Sequence, residues 1–232
     1  MSIDSQVTAK RHAAVQAAAL VTSGMKVGLG TGSTTALALE ELGRRIREDG
    51  LSIVGTPTSS SAALLARKYG IPTASLDELI NLDVALDGAD EVDPDLNLIK
   101  GRGAAHTREK IVAAQAERFV ILVDDSKMVE RLGTLMPVPV EVIPMAATVV
   151  ARRISELGGR PEIRMGQRKD GPIVSDQGFW IIDARFDPIA NLEELNDALL
   201  HIPGVLDHGL FLGMATDVFV GSVNGDVRHL TR

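Results

Sequence analysis

The chain contains no cysteine. That absence removes disulfides, thiolate zinc sites and thiol nucleophiles together, and it suits a reducing cytoplasm. Positive charge is also in deficit: 24 Lys and Arg stand against 31 Asp and Glu, a formal net charge of −7. A nucleic-acid surface wants a basic face, so no nucleic-acid partner is expected. An anionic small substrate stays admissible, because local lysines and backbone N–H groups set the potential inside a pocket. No apolar run approaches the ~20 residues that span a bilayer. The first residues carry Asp4, Lys10 and Arg11 where a signal peptide would have an apolar core. The expectation is a cytoplasmic protein with no membrane contact. Internal repeats and low-complexity tracts are absent too. What remains is 232 residues, 45% hydrophobic and 24% charged, enough to bury a sizeable core as one large or two small domains.

Strand and helix signals alternate through the first half. A helix from about Ser5 to Thr22 precedes a strand at Lys26–Leu29, and a helix at Thr34–Arg47 follows a glycine-rich turn. Leu51–Val54 is a second strand, Ser59–Tyr69 a helix, Asp83–Leu86 a third strand, Thr107–Ala116 a helix and Phe119–Val123 a fourth strand. Strands separated by helices predict a Rossmann-like, mostly parallel sheet flanked by helices, with ligands bound beyond the carboxyl ends of its strands. After Leu132-Gly133 the character changes. A strand at Val140–Ile143, a helix at Ala146–Leu157, a hairpin from Glu162–Met165 to Ile173–Val174 around Lys169-Asp170-Gly171, a strand at Phe179–Asp183, a helix at Leu192–His201 and a strand at Val205–Phe211 follow in turn. This β-α-β-β-α-β order predicts a second, smaller α+β domain of ferredoxin-like type. The last strand, Asp217–Val220, can return to the first sheet. The expected domains are therefore residues 1–133 with 212–232, and residues 134–211.

The segment Gly28-Leu29-Gly30-Thr31-Gly32-Ser33-Thr34 lies where the first strand gives way to a helix. Glycines let backbone approach a ligand, and a helix N-terminus favours an anion. Ser33 or Thr34 can instead simply cap the helix, worth ~1 kcal/mol, so the loop alone leaves phosphate binding and capping evenly matched. It is not a Walker A loop, for no Gly-Lys-Ser/Thr follows. A dinucleotide site wants an acidic residue at the end of the next strand. Here that strand runs into Gly55-Thr56-Pro57-Thr58-Ser59-Ser60-Ser61, which holds none. A smaller phosphorylated molecule fits better than NAD.

Four carboxylates in seven positions (Asp87, Asp90, Glu91, Asp93) close the third strand. Such a crowd makes a poor core and a good acid–base site at a strand mouth. Lys100, Gly101 and Gly103, lying before the next helix, can set charge and backbone donors opposite Asp87 and Asp90. Glu109, two residues into that helix, reads on its own as a first-turn acid favoured by the helix dipole. The histidines (12, 106, 201, 208, 229) form no metal-ligand spacing. Proton transfer without a metal is therefore the better reading, an all-oxygen site staying open. His106, at the helix start, is expected on the surface with no role.

Taken together these segments resemble the A-type ribose-5-phosphate isomerase family. The resemblance runs through the glycine loop, Thr58-Ser59-Ser60-Ser61, Asp87 to Asp93, Lys100-Gly101-Arg102-Gly103-Ala104-Ala105, Arg108-Glu109-Lys110 and Asp124-Asp125-Ser126-Lys127. It continues through Pro137 to Pro144, Leu157 to Pro161 and Ile202-Pro203-Gly204-Val205, in the family's order and over nearly the whole chain. It implies interconversion of D-ribose 5-phosphate and D-ribulose 5-phosphate in the non-oxidative pentose phosphate pathway, with no cofactor and no metal. It also implies a homodimer or homotetramer, with the smaller domain a candidate for the interface. By the same resemblance Glu109 is the base that carries a proton between C1 and C2 through a cis-enediolate. Asp87, with Asp90 beside it, assists ring opening and proton movement on the sugar oxygens. Lys100 and the backbone of Gly101, Arg102 and Gly103 stabilise the enediolate. Thr31, Gly32, Ser33 and Thr34 form the substrate loop, Gly88 and Ala89 line the site, and Lys10 and Lys127 meet the phosphate. Arg102 and His106 depart from the family pattern. Arginine at 102 would be strained if φ there were positive, so an ordinary backbone with the side chain toward solvent or substrate is expected. Rival readings are an amino-sugar phosphate isomerase-deaminase, a non-catalytic sugar-phosphate sensor and a CoA transferase.

Overall fold

A computed structural model of the chain describes residues 3–167 and 170–232. Its elements, in order, are α1 (Ile3–Ala18), β1 (Lys26–Leu29), α2 (Ser33–Glu48), β2 (Val54–Pro57), α3 (Ser60–Tyr69), β3 (Leu82–Gly88), β4 (Glu91–Val92), β5 (Leu98–Ile99), α4 (His106–Ala114) and β6 (Ala116–Asp124). There follow β7 (Val138–Val142), α5 (Ala147–Glu156), β8 (Arg160–Ile163), β9 (Trp180–Arg185), α6 (Leu192–Leu200), β10 (Val205–His208), β11 (Leu210–Phe211), β12 (Asp217–Gly221) and β13 (Val227–Thr231). Among the described residues no helix is long and apolar enough to cross a membrane.

The chain divides into two compact units. The first runs to Ala89 and adds Arg108–Met128 and Met214–Arg232. Its six-stranded sheet has the order β13-β12-β6-β3-β1-β2, parallel throughout except for β13, which pairs antiparallel along β12 at the edge. The inner strands β1, β3, β6 and β12 are largely buried apolar runs, as parallel strands covered on both faces require. Val27, Leu29, Val84, Leu86, Val120 and Leu122 turn one face toward the buried sides of α1, α2 and α3, where Ala13, Ala17, Leu39, Leu42 and Ala66 meet them. Gly28 points the other way, since neighbouring strand residues alternate. A Cβ at Gly28 would lie 2.7 Å from Val112 of α4. Helices therefore cover both faces, as the alternation of signals predicts.

The second unit comprises Asp90–Thr107 and Val129–Gly213. Its main sheet is antiparallel, in the order β10-β7-β9-β8, with α5 and α6 supplying Val150, Ile154, Leu195 and Leu199 to one core with Val138, Val140 and Ile182. The first, third, second arrangement of a split β-α-β pair is the ferredoxin-like topology expected. In the predicted hairpin, Met165 bridges Pro172 and Gly166 N–H donates to Gly171, while Lys169 lies outside the described residues.

The structure draws the boundary between the units differently from the sequence. Residues 90–107, expected with the first domain, belong to the second. The reason is long-range pairing: β4, β5 and β11 form a three-stranded sheet, Leu210 lying opposite Ile99 and Phe211 opposite Leu98. Glu91 strengthens the join, its buried carboxylate accepting N–H bonds from Gly133 (2.7 Å), Leu135 (2.5 Å) and Met136 (2.6 Å).

Candidate active site

In the first unit the parallel strands bring several polar segments to one carboxyl edge. The loop after β1 is tied to the end of β3 by two backbone donors. Gly30 N–H reaches Leu86 O at 2.9 Å, and Thr31 N–H reaches Asp87 Oδ1 at 3.1 Å. Gly30 must lack a side chain here, because a Cβ would lie 2.4 Å from the Asp87 carboxyl carbon. From β2 arrive Thr58 and Ser59, whose hydroxyls lie 2.9 and 2.6 Å from that of Thr31. Ser59 also caps α3 by accepting from Ala62 N–H.

The structure separates the two readings of the glycine loop. Gly32, at φ 118°, is the N-cap of α2 and gives no side-chain cap, while Ser33 and Thr34 are already inside the helix. Neither is a capping residue. Gly32 and Ser33 are exposed, so the first-turn N–H groups stand where an anion can reach them. Lys10 of α1 joins the loop, its Nζ donating to Ser33 Oγ at 3.1 Å. Asp87 is buried, and its Oδ1 also accepts from Gly88 N–H at 2.8 Å.

Glu109 is buried in the first turn of α4. Since α4 leads into β6, which runs parallel to β3, the helix carries the chain back from the carboxyl to the amino ends of the strands. Its first turn, and Glu109 with it, therefore sits on the edge that holds Asp87. Lys127 closes a short 3-10 turn after β6 on the same edge, one strand over from Asp87. That turn is fixed by the buried Asp124, whose Oδ1 accepts from Ser126 N–H at 3.0 Å. Lys10 is thus brought directly onto the glycine loop, whereas Lys127 shares its edge.

In the second unit the carboxylates of the crowd differ in their partners. Glu91 is spent on the backbone bonds described above, and Asp93 on Asn97, whose N–H and Nδ2 it accepts at 2.8 and 3.0 Å. Asp90 instead accepts from Arg102 N–H at 3.0 Å, which ties it to the lysine–glycine loop. Lys100 is buried; its N–H donates to Gly209 O at 2.9 Å, and its Nζ lies 5.4 Å from the Phe211 ring centroid, within cation–π range. The loop's left-handed backbone falls on Gly101 (φ 107°) and Ala104 (φ 56°), not on Arg102, which is exposed as expected. Gly103 is exposed beside it.

His106 requires a correction. It is expected on the surface and is fully buried, its Nε2 4.0 Å from Glu141 Oε2. Glu141, itself buried, accepts hydroxyl hydrogen bonds from Thr107 and Ser175. The helix start is packed onto strand β7, so the rule that such histidines face water does not hold here. Thr58 and Ser59, a hydroxyl cluster plain in the sequence but given no site role there, meet Thr31 at this edge. Arg164, which reaches the lysine–glycine loop, gives no sequence signal at all. Among the described residues no three His, Asp or Glu side chains converge as a metal site would need.

The sequence model of the family described as ribose 5-phosphate isomerase A (phosphoriboisomerase A) matches residues 54–225. The ribose-5-phosphate isomerase A of Thermosynechococcus vestitus is 55% identical over 224 residues, 96% of this chain and 95% of that protein. The structure of ribose 5-phosphate isomerase A from Methanocaldococcus jannaschii is similar at a TM-score of 0.92 and 49% identity, covering 96% of this chain and 98% of that one. A D-ribose-5-phosphate isomerase solved in complex with phospho-erythronic acid is similar at a TM-score of 0.95 and 46% identity, over 100% of both chains.

Proposed function

This chain belongs to the ribose 5-phosphate isomerase A family and isomerises ribose 5-phosphate, and we propose the division of labour by which its residues do so. Glu109 removes the proton from C2 of the open-chain aldose, and the released electron pair forms the C1–C2 double bond of a cis-enediolate. Once the O2 hydroxyl proton has passed to O1, returning the carbon-bound proton to C1 re-forms the carbonyl at C2 and gives D-ribulose 5-phosphate. A general base of this kind contributes roughly 10²–10⁴-fold, so the rest of the acceleration comes from positioning and from stabilising the enediolate charge. Lys100 and the backbone donors of Gly101 to Gly103 supply that stabilisation. Asp87 and Asp90 serve the sugar oxygens during ring opening and proton movement. Thr31 to Thr34, with Lys10 and Lys127, hold the phosphate.

The observation that carries this reading is the bond from Thr31 N–H to Asp87 Oδ1. It fixes a buried carboxylate, on the strand edge that bears Glu109, to the first residue of an uncapped anion loop. Further support comes from the relative that binds phospho-erythronic acid. That compound pairs a phosphate with a carboxylate whose charge resembles the enediolate's. The reaction is proposed to run without a metal, in keeping with an acid–base set of carboxylates and a lysine. A coupled ribose-5-phosphate assay with and without EDTA tests substrate and mechanism together: full activity in both arms is expected, and loss of activity with EDTA would require a metal-assisted step.

We also propose a cytoplasmic homodimer or homotetramer. Exposed Ile143, Met145 and Val149 of the smaller unit support an interface there. Light scattering at micromolar concentration reads the mass, and a monomer would remove the proposal.

A further inference from the structure

Arg164 follows β8, and its backbone is fixed on both sides: its N–H donates to Ile181 O at 2.9 Å and its carbonyl accepts from Ile173 N–H at 2.8 Å. Its guanidinium then makes two kinds of contact. Nε and Nη2 donate to the two oxygens of Asp183 on β9, at 2.8 and 2.5 Å, a fork-to-fork pair. Nη1 donates to the carbonyls of both Gly101 and Arg102, each at 2.9 Å. One arginine, locked by one aspartate, thus holds two successive peptides of the loop that follows Lys100.

We infer that Arg164, anchored by Asp183, is a positioning residue for isomerisation: it sets the peptides at 101–102 and 102–103 so that their N–H groups face away from it, toward Asp90 and the enediolate. A trans peptide points its N–H opposite to its C=O, so a carbonyl captured by Arg164 aims the next residue's N–H the other way. The first peptide displays the consequence directly, for Arg102 N–H meets Asp90 Oδ2 at 3.0 Å. By the same trans geometry, the Arg164 bond to Arg102 O turns Gly103 N–H away from the guanidinium. A cationic donor on each carbonyl also polarises the peptide and strengthens its N–H as a donor. Ala104 N–H closes a turn onto Gly101 O at 3.0 Å, and Arg164 adds a side-chain anchor to that carbonyl and the next, so part of the entropy of ordering a loop with glycine at 101 and 103 is met before substrate arrives. Asp183 matters because lysine at 164 could not form the same fork and reach both carbonyls. The inference rests on the proposed role of the Lys100–Gly103 loop.

The test measures kcat, KM and thermal stability for Arg164→Ala, Asp183→Asn and, in parallel, Lys100→Ala. Arg164→Ala is expected to lose about 10- to 100-fold in kcat, the scale of a slightly misplaced catalytic group. Its KM should move less than about threefold, because the phosphate loop is untouched. Added ethylguanidinium should restore part of the lost kcat, and Asp183→Asn should show the same split in weaker form. Wild-type kcat in folded Arg164→Ala overturns the inference, as does a loss that tracks unfolded protein and resists ethylguanidinium. If Arg164→Ala does not fold, Asp183→Asn decides: lowered kcat at unchanged KM supports the positioning role, and unchanged kcat overturns it. Lys100→Ala separates the two levels. Full activity there removes the loop's role itself, whereas its loss alongside an unaffected Arg164→Ala removes only the inference.

Discussion

The backbone N–H of Thr31 donates to Asp87 Oδ1 at 3.1 Å, joining the glycine loop after β1 to the carboxylate near the end of β3. The same oxygen accepts from Gly88 N–H, so Asp87 is held by two donors before any substrate arrives. Asparagine can accept both bonds through its own Oδ1 but carries no charge. Asp87→Asn is therefore expected to fold with a melting temperature near that of the wild type and to lose about 100-fold in kcat, consistent with losing an acid–base group. Circular dichroism melts and the coupled assay check both halves. A large drop in melting temperature would make Asp87 chiefly structural.

The two lysines proposed for the phosphate differ in how they meet the site. Lys10 touches Ser33 Oγ, whereas Lys127 approaches from the end of β6. Lys127→Ala should raise KM with kcat nearly unchanged, the signature of binding lost equally from ground and transition states. Lys10→Ala should do the same and also loosen the loop. Initial rates across a ribose-5-phosphate series read the split, and an unchanged KM in either variant removes that lysine from the phosphate site.

Away from the site, Asp217 at the start of β12 gives a pH dependence of stability. Burial pushes its carboxyl pKa up, but hydrogen bonds from Arg118, Thr216 and His229 outweigh burial and leave it below the ordinary carboxylate range. A depressed folded-state pKa means that the unfolded chain takes up the proton first. Its stabilisation is therefore complete above the unfolded value of about 3.9 and is lost as pH falls through the folded one. Asp217→Asn should be less stable than wild type in urea at pH 7, with the gap closing below about pH 4. A gap that stays constant from pH 7 to pH 3 would contradict this.

Much of this was legible in the residues, and the failures have identifiable causes. Alternating apolar segments revealed the parallel sheet, and the β-α-β-β-α-β order revealed the smaller one. Leu51 and Ile53 suggested a strand three residues early; they are buried lead-in to the core, and the ladder begins at Val54, opposite Lys26. The run Val205–Phe211 read as one strand, yet it splits between two sheets at Gly209, where a Cβ would lie 2.1 Å from Lys100 O. Only the fold brings that carbonyl near. The two-residue strands β4 and β5 are too short for any periodicity, which is why the domain boundary was misplaced. β13 was missed because Arg228 and His229 interrupt its apolar signal. In the site, the roles proposed for Asp87, Lys100 and Glu109 rest on several motifs in order, whereas nothing in the spacing shows that Glu91 and Asp93 bond to the backbone at 133–136 and to Asn97. Arg164 stayed hidden because its targets are backbone carbonyls 62 and 63 positions away, which no side-chain pattern encodes.

Glu109 as the proton carrier is the centre of the account, and Glu109→Gln tests it most directly because the amide keeps the shape and removes the base. Turnover of ribose 5-phosphate by the purified variant should fall at least about 100-fold, while calorimetry shows the sugar phosphate still binding within a few-fold of wild type. Turnover near the wild-type rate would contradict the account.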